Sequence, residues 1–360
     1  MVNSVRVGFL GAGGIAQSHA YALDVLNYYY ADIPKIEKIV VASPTPASRE
    51  TFARRFKFNE AISPEAMWDR NDIDTLFILG PNHTHTSQLL QAVNHSAIQR
   101  IYVEKPLGAS QQDLRELETL GQLKINKPIM IGFQFLQKSA LRKALAHWQS
   151  GVLGEPIHFR FEYLHSSYLD PQYRQNRADR LAPIPLNGAI VDLGSHALSL
   201  LVAFLGENLT VKAAAASGLF EDVPDNTDLC TTVLLKDVWS GAVGTVLASR
   251  VSQGTGDHMQ VEIRATRGAL IYNSDQPDVY KTFTPQQSWQ LHEVMSDYQP
   301  SSKFPSDYTP SGWLRALVHN HYLFFGGDPE QSFIPDLQHG IQVQKLIQSI
   351  ANHFLHAYDA

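Results

Sequence analysis

With 360 residues, 44% of them hydrophobic and 18% charged, the chain is long enough for about two domains with cores that need no covalent staple. The net charge is −6 and no run of Lys or Arg is long enough to follow a phosphate backbone, which excludes nucleic acid as a partner. No apolar stretch approaches the roughly 20 residues that cross a bilayer. The single cysteine, Cys230, has no internal partner, and the opening MVNSVRVGFLGAGG carries no charged-then-apolar leader, so the expected location is the cytoplasm.

VRVGFLG (5–11) reads as a short apolar strand that runs into GAGGIAQSHAYALDVL, where small and apolar residues recur at helical spacing. IEKIVVAS (36–43) is a second strand, followed by helix PASRETFARRF (46–56) and a short helix near SPEAMWDR (63–70). Strand IDTLFILG (73–80), helix THTSQLLQAV (84–93), strand IQRIYVEK (98–105), helix SQQDLRELETLGQLK (110–124) and strand PIMIGFQF (128–135) continue the alternation. Parallel strands need crossover connections, so this half predicts a doubly wound parallel sheet.

The pattern then changes. After helix ALRKALAHWQSGVLG (140–154), PIHFRFEYLH (156–165) alternates with period two, as a half-buried strand does. VKAAAASGLF (211–220), LCTTVLLKDV (229–238), SGAVGTVLASRV (240–251), HMQVEIRATRGALIY (258–272) and DVYKTFTP (278–285) follow, without interposed helices until Trp313. These runs predict a largely antiparallel sheet, closed by helices in 312–327 and 334–355. The expected fold is α/β: a dinucleotide-binding domain over 1–125 and a second domain over 126–360, with the last helix packed back towards the first.

GAGGIA places Gly11, Gly13 and Ala16 in a GxGxxA spacing between a strand and a helix, the setting that the dinucleotide fingerprint requires. Gly11 permits the tight turn, Gly13 lets backbone approach a pyrophosphate, and Ala16 allows close helix–strand packing; Gly14 and Ile15 complete the turn. The helix N-terminus offers free N–H groups to phosphates. A plain strand-to-helix turn would read alike in isolation. At the tip of the second strand stand Ser43 and Thr45, with Arg49 beyond and no acid to accept from a ribose 2′-OH, which favours NADP over NAD.

Chemistry falls where substrates sit, outside the carboxyl ends of the strands. In GPNHTHTSQ (80–88), Pro81 and Asn82 make a stiff loop, which reads either as simple turn chemistry or, with His85, as part of the cofactor site. His83 and His85 have the spacing of a metal pair but no third ligand, so no metal is expected. In YVEKPLG (102–108) a strand delivers Glu104 and Lys105 to the crevice, and Pro106 fixes the turn, with a cis bond one way to do so. In NGAIVDLGSHALSLLVAFLG (187–206), Asp192 and His196 lie four apart, on one face of a helix. They read either as an acid/base pair or as a cap and a satisfied buried histidine.

The order GFLGAGGIA, PNHTH, VEKPLG, GF at 132–133, GAIVDLGSHALSL and IRATRGAL resembles the family of glucose-fructose oxidoreductase, inositol dehydrogenase and the rhizopine-catabolism oxidoreductases, over nearly the whole chain. That resemblance implies an N-terminal Rossmann domain and a C-terminal domain with an open, mostly antiparallel sheet used for a homodimer or homotetramer. It also implies hydride transfer between a nicotinamide and a carbinol carbon of a sugar or polyol. Lys105 matches the lysine of the family's EKP motif, and Asp192 and His196 the remaining catalytic pair. His196 is then the base, Lys105 steadies the oxygen, and Asp192 holds His196. Gln134 and Gln137 stand where many relatives carry an arginine, and Tyr173, Arg174 and Arg177 read either as further substrate contacts or as a solvated loop. A sensor that binds cofactor without turnover and a redox-assisted glycosidase are the alternative readings.

Overall fold

The structure, a computed structural model, describes residues 4–295, 297–298, 300, 312–327 and 332–357, so the two ends of the expected domain division, at 1–3 and 358–360, lie outside the described residues. Strands β1 (Ser4–Leu10), β2 (Lys35–Ala42), β3 (Glu60–Ile62), β4 (Thr75–Ile78), β5 (Arg100–Val103) and β6 (Ile129–Ile131) form a parallel sheet in the order β3-β2-β1-β4-β5-β6. Helices α1 (Gly14–Tyr29), α2 (Pro46–Phe56), α3 (Asn82–Asn94) and α4 (Gln111–Gly121) make the crossovers. The strand order reverses between β1 and β4, which opens a crevice at their carboxyl ends. Every residue of β4 is buried, as expected of a strand covered on both faces.

The second sheet holds β7 (Pro156–Leu164), β8 (Leu209–Ser217), β9 (Cys230–Asp237), β10 (Val243–Ser249), β11 (His258–Ala265), β12 (Ala269–Asn273), β13 (Val279–Thr284) and β14 (Ser288–Glu293). Its order is β14-β13-β12-β11-β7-β10-β9-β8, antiparallel except for the β7–β10 pair. Helices α5 (Ser139–Gln149), α7 (Ser195–Leu205) and α9 (Leu337–Ala357) pack against it. The opposite face presents Arg160, Glu162, Glu262 and Arg264 in register, flanked by exposed Leu234, Val243, Trp289 and Leu291. Among the described residues two α-helices remain, α6 (Pro171–Asn176) in a loop and α8 (Trp313–Phe324), which packs on α1 with Tyr30 stacked on Tyr322 at 3.9 Å.

Several local expectations change. SPEAMWDR contains only a 3-10 turn, Glu65–Asp69, and strands β3 and β14 are too short or too polar to announce themselves. The long run HMQVEIRATRGALIY is a hairpin, because the chain reverses at 266–268. PIMIGFQF stops being a strand at Ile131: Gln134–Gln137 curls into a 3-10 turn. Ahead of α7, Ile190–Gly194 is a π-helical turn, a local widening that often marks functional positions.

Candidate active site

Lys105 leaves β5 at the crevice and extends its ammonium to Asp192, with Nζ 2.7 Å from the Asp192 carbonyl and 3.0 Å from Oδ1. Oδ2 of Asp192 accepts from Arg250 Nη2 at 2.9 Å, and Arg180 Nη1 stands 3.6 Å from Oδ1. Burial alone would raise the Asp192 carboxyl, yet Lys105, Arg250 and Arg180 together hold it well below the usual carboxylate range. Arg250 is fully buried and also donates to Arg180 O and Asn187 Oδ1, at 2.9 and 3.3 Å.

His196 is 5% exposed, in the first turn of α7 directly after the π-turn, with its ring edge-on to Phe135 (centroids 4.7 Å) and Tyr163 (5.8 Å). Desolvation, then the Lys105 charge, pushes its imidazole well below its ordinary value, with Asp192 opposing. His196 is therefore neutral near pH 7 and able to accept a proton. The expected Asp192–His196 hydrogen bond is not formed among the described residues: Nδ1 of His196 has no partner, and the carboxylate is spent on three cations. Asp192 acts on His196 only through its charge.

Lys105, Asp192 and His196 line one cavity of about 280 Å³, together with Ile15, Gly80, Asn82, His85, Glu104, Gln134, Phe135, Tyr163, Arg180, Asp257 and Trp313. A larger cavity of about 800 Å³, lined by residues such as Phe220, Asp225 and Phe354, holds neither a lysine nor an imidazole. Chemistry, not volume, selects the site. In the turn between β1 and α1, Gly11 has φ +125°, and a Cβ on it would stand 2.6 Å from the Leu79 carbonyl. Only glycine fits there. A Cβ on Gly13 or Gly14 would meet nothing within 4 Å, and no side chain caps α1. This bare turn, with Ile15 on the cavity and Ala16 fully buried, fits a dinucleotide pyrophosphate.

The remaining candidates separate. Thr45 precedes α2 without a side-chain cap bond, and Arg49 Nη1 bonds back to Ser43 O at 2.9 Å. Pro81 precedes α3, and Asn82 Nδ2 reaches Leu186 O at 3.1 Å. The ring nitrogens of His85 lie 2.7 Å from Pro106 O and 2.9 Å from Gly80 O; burial holds the imidazole below its ordinary value, so it is neutral and donates to one of these two crevice carbonyls. The Lys105–Pro106 bond is cis. Gln134, on the cavity, keeps a buried Oε1 without a partner among the described residues, whereas Gln137 Nε2 is spent on Phe333 O at 2.6 Å.

Arg174 is a correction: its guanidinium is consumed by Asp222 (2.8 and 2.9 Å), the Tyr168 carbonyl (2.7 Å) and the Phe220 ring. Tyr173 and Arg177 pack on each other away from the cavity lining. Arg180, three residues further along the same loop, takes that place. Arg250, Tyr163 and Asp257 were also missed. For Arg250 a signal existed, since VLASRV ends an apolar strand on a cation just as YVEK does.

Residues 5–133 match the family model described as the oxidoreductase family with an NAD-binding Rossmann fold, and residues 141–271 match the GFO/IDH/MocA C-terminal domain. The chain is 24% identical over 303 residues to levoglucosan dehydrogenase of Pseudarthrobacter phenanthrenivorans, covering 77% of this chain and 75% of the relative. It is likewise 24% identical to inositol 2-dehydrogenase of Acidothermus cellulolyticus, over 77% and 75% of the two chains. Among solved structures, levoglucosan dehydrogenase in complex with NADH and levoglucosan superposes with a TM-score of 0.83 at 21% identity, over 98% of this chain and 97% of the other. An inositol dehydrogenase homolog complexed with NAD+ from Azotobacter vinelandii gives 0.78 at 18% identity, over 98% and 95%. Matched along both sheets and carrying the bare glycine turn, the chain belongs to the GFO/IDH/MocA family of NAD-binding oxidoreductases.

Proposed function

We propose that the protein is a dehydrogenase or reductase that moves a hydride between a nicotinamide and a carbinol carbon of a sugar or polyol, with His196 and Lys105 acting on the substrate oxygen. The observation that carries this reading is the convergence of a neutral buried imidazole and a carboxylate-anchored ammonium in one cavity at the crevice of a dinucleotide sheet. Relatives named as levoglucosan and inositol dehydrogenases support the substrate class. In the oxidative direction His196 takes the hydroxyl proton while Lys105 stabilises the developing alkoxide. Asp192 fixes the ammonium rather than the imidazole, and its bond to Arg250 fixes Asp192 in turn. The nicotinamide, when bound, supplies the hydride chemistry that no side chain offers. Gln134, with its free amide oxygen, and Asp257 are suited to accept from further substrate hydroxyls.

The acid-free tip at Ser43 and Thr45, with Arg49 folded over it, supports a preference for NADP. The open face of the second sheet, with a charged ladder flanked by Leu234, Val243, Trp289 and Leu291, supports a homodimer or homotetramer formed through that sheet. Among the described residues no helix is long and apolar enough to cross a membrane, and the cytoplasm is the proposed location.

The test is a panel of sugars, inositols and their keto forms with NADP and with NAD, followed by nicotinamide absorbance. His196→Ala is expected to lower kcat by about 100-fold or more with cofactor affinity retained. Unchanged turnover removes the base from His196, and tight cofactor binding with no substrate turned over favours the sensor. A kcat/KM that is higher with NAD overturns the NADP preference.

A further inference from the structure

Glu104, next to Lys105 in the chain, lines the same cavity but is only 5% exposed. Its Oε1 lies 3.0 Å from His19 Nε2, the other nitrogen of His19 lies 3.0 Å from His321 Nε2, and His321 Nδ1 lies 2.9 Å from Leu317 O. Both imidazoles are fully buried. The string joins three elements: α1, which begins at the glycine turn, the carboxyl end of β5, and α8 from the far end of the chain. Oε2 of Glu104 accepts the backbone N–H of Lys105 at 3.3 Å. The carboxyl is seated on bare backbone, since a Cβ on Gly132 would stand 2.5 Å from Oε1.

Hydrogen counting sets the state of this string. A backbone carbonyl only accepts, so His321 donates from Nδ1 to Leu317. Burial, then the neighbouring His19, holds the His321 imidazole well below its ordinary value, so His321 is neutral and its Nε2 accepts. His19 must then donate from Nδ1. A neutral His19 would turn a lone pair towards the Glu104 carboxylate, two acceptors at 3.0 Å with no water between them. One more proton is required, on the 3.0 Å contact between His19 Nε2 and Glu104 Oε1. The titratable groups facing the string are Tyr102, whose hydroxyl accepts from Asn320 Nδ2 at 2.8 Å, and, around Glu104, Lys105 and His85.

We propose that His19 and His321 are positioning residues of the cofactor site: His321 fixes the tautomer of His19, and His19, doubly protonated, holds the Glu104 carboxylate at the crevice beside Lys105. The ion pair leaves the buried string without net charge, which is why it can lie beneath the Glu104 side of the crevice without a counter-ion. Loss of the proton sets carboxylate against lone pair, and Glu104 swings from its seat on Gly132. The role of Lys105 rests on the proposed function, but the string is read out by cofactor binding alone.

The test is NADH fluorescence titration of the full chain as pH rises, without any sugar, together with ¹⁵N NMR of labelled histidines in the cofactor-free protein. NADH affinity is expected to fall by about tenfold per pH unit once the proton is lost. Glu104→Gln donates from its amide to His19 Nε2 and needs no third proton, so its alkaline limb is expected to flatten and its His19 to become singly protonated. His321→Leu frees the His19 tautomer and flattens the limb as well. Tyr102→Phe, outside the string, keeps it. A wild-type His19 with one ring proton, or an alkaline limb unchanged in Glu104→Gln, overturns the proposal whether or not any sugar is turned over. If His321→Leu fails to fold, the near-isosteric Glu104→Gln still decides.

Discussion

Asp192 receives three cations, and they do different work. Lys105 and Arg180 line the cavity, whereas Arg250 is fully buried and cannot touch a substrate. Removing one partner of a buried charge pair costs several kcal/mol because the other is left uncompensated. Arg250→Met is expected to cost about 3 kcal/mol of unfolding free energy, the low end of that range, since Lys105 and Arg180 remain. A denaturant melt measures this, and kcat should fall with it. Arg250→Lys recovers the charge but not the fork that spans Asp192, Asn187 and Arg180, so it should rescue stability only in part. These roles were unevenly legible. Lys105 and His196 announced themselves through local motifs, but the partner of Arg174 is Asp222, 48 residues on, and no local pattern reveals that a loop arginine is already occupied.

At the scale of elements, the glycine positions were legible and the helix junction was not. GAGGIA specified its turn because a strand, a positive φ and a helix start fall within a few residues, and local sequence encodes all three. The four-residue spacing of Asp192 and His196 did bring both to one cavity, but the π-turn that carries Asp192 and the three cations decided what the carboxylate would bond. Nothing in IVDLG signals a widened turn. Gly132 offers a direct test. Gly132→Ala drives a methyl into the Glu104 carboxyl, and overpacking of this kind costs about 1–3 kcal/mol. The expected result is NADH affinity weakened by at least about fivefold, read by fluorescence titration, with a smaller change in Tm. An unchanged affinity would mean that Glu104 has room to move.

The whole molecule carries an acid-sensitive set of histidines. Burial lowers His196, His319 and His321 well below their ordinary value and His339 to about 4. A folded pKa below the unfolded one means that the unfolded chain binds more protons as pH falls. The stability held by these neutral rings is therefore complete above about pH 6.5 and is lost as pH falls towards their folded values. Melts between pH 7 and 5 should show Tm falling with pH, and His339→Gln should reduce the slope. A flat profile would place water around these rings. The class of each sheet was readable because period and burial differ between parallel and antiparallel strands. The return of α8 onto α1 was not, since contacts across some 300 residues leave no periodic trace.

That return limits how the protein can be divided. Leu317, Val318, Tyr322, Leu323 and Phe324 of α8 belong to the same apolar cluster as Val7, Phe9, Ala16 and Leu23. The cofactor half is thus roofed by residues some 300 positions further along the chain, and it is not a portable cassette. Expressed alone, residues 1–133 would present that cluster unroofed and are expected to aggregate, while co-expression with a fragment that supplies α8 should recover them. Chimaeras with related dehydrogenases need their crossovers on both sides of the second sheet, so that each cofactor half keeps its own roof.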